Sequence, residues 1–100
     1  MDKTLDTMDH VAIAVREVQP TLDWYCRHFQ CEVLYQDQTW ALLQFANIKL
    51  ALVVPDQHPA HLGFFRPDAA SFGKLTPHRD GSQSVYVSDP AGNSVELLTP

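Results

Sequence analysis

An α+β fold of two successive βαβββ modules, the second with a shortened helix, is what this chain predicts, and three observations carry the prediction. Its 100 residues, 45% of them hydrophobic and 19% charged, suffice for one compact domain around one core. Apolar residues alternate with polar or small ones in short runs on both sides of a single strongly helical stretch. Turn residues separate these runs, and no repeat, low-complexity tract or linker interrupts them.

In order along the chain, MDHVAIAV alternates with Val11, Ile13 and Val15 on one face and His10, Ala12 and Ala14 on the other, a strand with one large-residue face. Pro20 suits a first helical position, and Leu22, Tyr25, Cys26 and Phe29 then recur at helical spacing. CEVLYQ, TWALLQF and IKLALVV are rich in strand-forming residues and are separated by DQ and AN, which suit tight turns. This completes a first module over about residues 8–54. AHLGFF begins a second over about 60–98, but PDAASFGKL has room for two turns of helix at most. SQSVYVS and NSVELL are strands around DPAGN, whose residues supply the backbone angles of a tight connection.

Seven Lys and Arg against twelve Asp and Glu give a formal charge of -5, which excludes broad attraction to nucleic acid or anionic lipid. No apolar run approaches the roughly 18 residues of a membrane span. The segment MDKTLDTMDHV is acidic where a signal peptide is cationic, so the expected location is the cytoplasm. Cys26 and Cys31 match neither a disulfide scaffold nor a zinc knuckle and read as reduced core thiols. Serine hydrolase, dinucleotide-binding and P-loop motifs are absent.

The strand alternation places His10 with Ala12 and Ala14, His61 with Gly63 and Phe65, and Glu96 with Ser94 and Leu98. In each strand the opposite face is apolar and suited to packing under a helix, so the three faces line the other side of the sheet. Two imidazoles and one carboxylate make up a 2-His-1-carboxylate ligand set, which holds a divalent metal with positions open to water or substrate.

MDHVAIAV followed by the WYCRHF helix, the later HLGFF, and VYVSDPAGNSVELL resemble the vicinal oxygen chelate superfamily of glyoxalases, fosfomycin-resistance enzymes, extradiol dioxygenases and bleomycin-resistance proteins. The resemblance covers nearly the whole chain, and its most specific part is DPAGNSVEL, close to the family's DPxGNxxEL. It implies a curved, barrel-like mixed sheet of paired modules, with His10, His61 and Glu96 as ligands of a divalent ion such as Zn, Mn, Ni or Fe(II). It also implies a homodimer in which His10 of one chain meets His61 and Glu96 of its partner. The activity implied is that of a small metal-dependent enzyme in the lyase, isomerase, transferase or dioxygenase class, in which the ion coordinates substrate oxygens. A non-catalytic module that sequesters a small molecule, like the bleomycin-resistance proteins, is the alternative.

The chain also departs from that pattern. Glyoxalase I and methylmalonyl-CoA epimerase types add a Glu or Gln ligand in the first module, where IKLALVV has only Lys49 as a polar residue, leaving Gln38 or Gln44 as substitutes. The short PDAASFGKL removes helix that usually covers one module. Trp40, Phe65 and Tyr86 are candidates to line the substrate groove, Tyr86 sharing a face with Ser84 and Ser88. His78 and Arg79 are candidates to hold an anionic substrate group, since Arg offers paired donors to a carboxylate or phosphonate. His28 and His58 read as surface residues.

Overall fold

The computed structural model describes residues 5–78 and 81–99. The fold is α+β, with one α-helix and eight strands of mixed direction among the described residues. His10–His61 forms one compact unit, and the described residues before His10 and from Leu62 onward form another.

In the first unit the order is β1 (Thr7–Ala14, its residues from His10 on), α1 (Val18–His28), β2 (Glu32–Gln36), β3 (Trp40–Gln44) and β4 (Lys49–Val53). Hydrogen bonding runs β2-β3-β4-β1, with β1 parallel to β4 and the other pairs antiparallel. The helix starts two residues earlier than Pro20 suggests, with Val18 and Leu22 as its buried residues. Pro20 is therefore the third helical residue, where its missing N–H costs nothing because the first-turn N–H groups lack intrahelical partners. Arg27 and His28 in the last turn complement the negative end of the helix. Val18 and Leu22 pack with Val15, Ala41, Leu43 and Leu52 into the main core, Leu43 and Leu52 being fully enclosed. Ala12, Ala51 and Val53 form a second cluster with Trp40 and Leu42, the residues that alternate with that core along the strands.

The thiols correct an expectation. Cys31 packs against the main core, but Cys26, one turn after Leu22 on the helix, is exposed. Burial and the neighbouring Cys26 push the Cys31 thiol above its ordinary range.

The second unit repeats the order with β5 (His61–Phe65, its residues from Leu62 on), a 3-10 turn (Ala69–Phe72), β6 (Thr76–Pro77), β7 (Gln83–Ser88) and β8 (Ser94–Thr99). Its strands run β5-β8-β7-β6, the same arrangement as β1-β4-β3-β2. The shortened helix is thus a single 3-10 turn. Pro67 and Gly73 bracket it, and a Cβ on Gly73 would come within 2.9 Å of Val85 Cγ2, so the chain passes too close to β7 for any larger residue.

No helix among the described residues is long and apolar enough to cross a membrane.

Candidate metal centre

β1 and β4 pair in parallel with His10 opposite Lys49 and Ala12 opposite Ala51, while β3 sets Gln44 opposite Lys49. Paired residues share a sheet face, so His10, Lys49 and Gln44 stand in a row across three strands, on the side away from α1. His10 is buried. Its Nε2 lies 2.9 Å from the Nε2 of His61 of the same chain, the two rings meeting edge to face. The resemblance implies that His10 meets a partner's His61; in this structure His10 also lies against His61, the first residue of β5, of its own chain.

His61 Nδ1 is 2.7 Å from the carbonyl oxygen of Pro59. A carbonyl only accepts, so Nδ1 carries the proton and donates it. That leaves Nε2, on the side toward His10, as the ring nitrogen able to offer a lone pair. A backbone carbonyl that fixes the tautomer and plane of an imidazole is the usual outer partner of a ligating histidine.

In the second unit the residues of DPAGN explain how Glu96 is placed. Asp89 Oδ1 accepts the backbone N–H of Ala91 at 2.9 Å and of Asn93 at 2.8 Å, and Asn93 Nδ2 donates to Oδ2 at 2.9 Å. These bonds, that to the Asn93 side chain first, hold the Asp89 carboxyl below the usual carboxylate range. Gly92 supplies the positive φ of 89°. The turn fixes the β7–β8 register, which pairs Tyr86 with Glu96 and Ser84 with Leu98. A slip of one residue would send Glu96 to the opposite face.

Glu96 is 5% exposed, a degree of burial that an ionised carboxylate tolerates only with partners. Tyr86 hydrogen-bonds it from the paired position, and the phenol is pushed well above its ordinary range, first by desolvation and then by the adjacent negative charge. His78 Nε2 lies 3.6 Å from Glu96 Oε2 and 2.6 Å from the hydroxyl of Ser84, itself 1% exposed.

The remaining expected residues fall as follows. Trp40 stacks on Tyr35 at 4.4 Å between centroids and meets the edge of His58. Phe65 and Tyr86 are exposed. Arg79 lies outside the described residues. Gln44 Nε2 donates to the Phe45 carbonyl at 2.6 Å, while Gln38 sits in the exposed β2–β3 turn. His28 is exposed and stacked on Trp24. Sequence reasoning missed the Pro59 carbonyl, which leaves no signal in residue type, and Ser84, whose shared face with Tyr86 was the only signal.

No family model matches the chain, and no curated protein does. Solved structures do. A variant of the Streptomyces coelicolor methylmalonyl-CoA epimerase in complex with 2-nitronate-propionyl-CoA aligns over 96% of this chain and 95% of its own, with TM-score 0.73 and 18% identity. A glyoxalase/bleomycin resistance protein/dioxygenase superfamily member from Vibrio splendidus 12B01 aligns over 96% and 100%, with TM-score 0.73 and 9% identity. A hypothetical protein from Bacillus halodurans C-125 aligns over 95% and 94%, with TM-score 0.70 and 14% identity. At these identities the likeness is one of fold.

Proposed function

We propose, on the premise that the chain has the vicinal oxygen chelate fold, that it is a small metal-dependent enzyme whose His10, His61 and Glu96 hold a divalent ion. Two imidazole nitrogens and a carboxylate oxygen are a donor set of the kind that binds Zn, Mn, Ni or Fe(II). The observation that carries the reading is the His10–His61 pair. Nitrogens 2.9 Å apart are within the span of two ligands each about 2.0–2.1 Å from a common ion. The Pro59 carbonyl holds His61 in the tautomer that ligation requires.

In this reading His10 and His61 contribute neutral donors and the buried Glu96 offsets part of the ion's charge. A bound divalent ion would supply Lewis-acid polarisation of a substrate oxygen, a step common to lyase, isomerase, transferase and dioxygenase outcomes. Trp40, Phe65 and Tyr86 are the aromatic residues we assign to substrate contact. The homodimer and the cytoplasmic location stay within the proposal, with both imidazoles now in one chain.

Elemental analysis of untagged protein tests the reading. About one divalent ion per chain is expected, and Glu96→Gln, which keeps the shape of the side chain and removes its charge, loses it. Metal-free wild-type protein that binds planar aromatic ligands would instead support the non-catalytic sequestering module.

A further inference from the structure

Glu96 does not stand alone in its unit. The segment after β6 turns back at His78, whose backbone N–H bonds the Ser82 carbonyl at 2.8 Å and whose carbonyl accepts the Gly81 N–H at 3.1 Å. This pins the His78 backbone beside β7. From there the ring reaches inward, its Nε2 at 2.6 Å from Ser84 Oγ and at 3.6 Å from Glu96 Oε2. The two separations mean different things. The first is a short hydrogen bond to a hydroxyl that, at 1% exposure, has no water to turn to. The second is outside hydrogen-bond range, so the ring acts on the carboxylate by the space it occupies. Tyr86 engages the same carboxylate from its paired position on β7.

We infer that Ser84 and His78 form a positioning pair for Glu96: the buried hydroxyl fixes the imidazole, and the fixed imidazole limits where Oε2 can go. The role rests on the reading of Glu96 as a metal ligand. It is distinct from the substrate-anion role expected of His78, because the Nε2 that would face a substrate is engaged by Ser84. Neither residue contributes a donor to the ion. Each acts through Glu96, and because they act in series the loss of either removes the same restraint.

The test uses the full chain, with Co(II) as the metal probe followed by its visible absorption. Ser84→Ala and His78→Ala are each expected to weaken Co(II) binding about ten- to hundredfold, the usual cost of losing an outer partner. The double variant is expected to lose no more than the worse single one, since the two share one pathway. His78→Gln, whose Nε2 falls close to that of the histidine, restores most of the affinity. Metal-free thermal midpoints for Ser84→Ala and His78→Gln should stay near wild type, which separates positioning from folding. In the metal-free protein the His78 ring nitrogens, followed by NMR, change tautomer balance in Ser84→Ala. Co(II) binding that Glu96→Gln abolishes but Ser84→Ala and His78→Ala leave unchanged overturns the positioning role and spares the metal reading. Additive losses in the double variant overturn the serial arrangement. Failure of the wild-type protein to bind Co(II) overturns the metal reading and this role together.

Discussion

His10 and His61, 51 positions apart in sequence, bring their Nε2 atoms to 2.9 Å, with the outer nitrogen of His61 tied to the Pro59 carbonyl. His28 and His58 have aromatic neighbours in place of a second imidazole, Trp24 for one and Trp40 for the other. Metal binding should therefore separate the four histidines. Equilibrium dialysis is expected to show His10→Ala and His61→Ala weakened by about a hundredfold or more, at or beyond the top of the range for losing an outer partner. His28→Ala and His58→Ala stay at wild type. Equal losses in all four would mean nonspecific histidine binding.

The same pair makes a prediction about assembly. Since one chain supplies both imidazoles, unfolding and refolding a mixture of His10→Ala and His61→Ala chains restores no metal sites. If His10 of one chain met His61 of another, random pairing would restore about a quarter of them, because half the dimers are mixed and each has one intact site of two. Recovery near that level, measured by metal content of the mixture, would put the pair between chains.

The DPAGN hairpin should be costly to disturb despite being exposed. Gly92 has φ of 89° with open space where a Cβ would point, so Gly92→Ala meets a backbone penalty and no clash. About 1–2 kcal/mol is expected, read as a fall of several degrees in thermal midpoint. Asp89→Ala removes the acceptor for Ala91, Asn93 and the Asn93 side chain and is expected to cost about as much. Both should also weaken metal binding, because the register they secure is what places Glu96.

Acid stability should depend on Asp37. Its carboxylate accepts the Tyr35 hydroxyl, the Trp40 and Thr39 N–H groups and the Thr39 hydroxyl, and these bonds, Tyr35 first, hold it well below the usual carboxylate range. A carboxyl depressed in the folded state adds stability above its ordinary unfolded value and loses it as the pH falls below that value. Denaturation midpoints are therefore expected to begin falling near pH 5 and to keep falling below about pH 4, a window that opens around the ordinary Asp value near 3.9. Asp37→Asn, less stable at neutrality, should narrow its gap to wild type across that window. A constant gap would show that the ionised form contributes nothing.

Much of this molecule is written in local pattern. Alternation in MDHVAIAV and NSVELL placed His10 and Glu96 on the faces opposite the large apolar residues, and helical spacing after Pro20 located α1 to within two residues of its start. PDAASFGKL had room for about two turns of helix and forms a single 3-10 turn between Pro67 and Gly73. These features follow from the chain itself because strand and helix periods and turn chemistry act over a few neighbours. The exposure of Cys26 depended on which way the helix stripe was rotated over the core, which neighbouring residues do not decide. Contacts between segments were tertiary decisions: the Pro59 carbonyl on His61, the Ser84 hydroxyl on His78, and Tyr35 stacked on Trp40. Each is set by strand register, by the path of a loop or by a rotamer, and a step of one residue in any register would have joined different side chains.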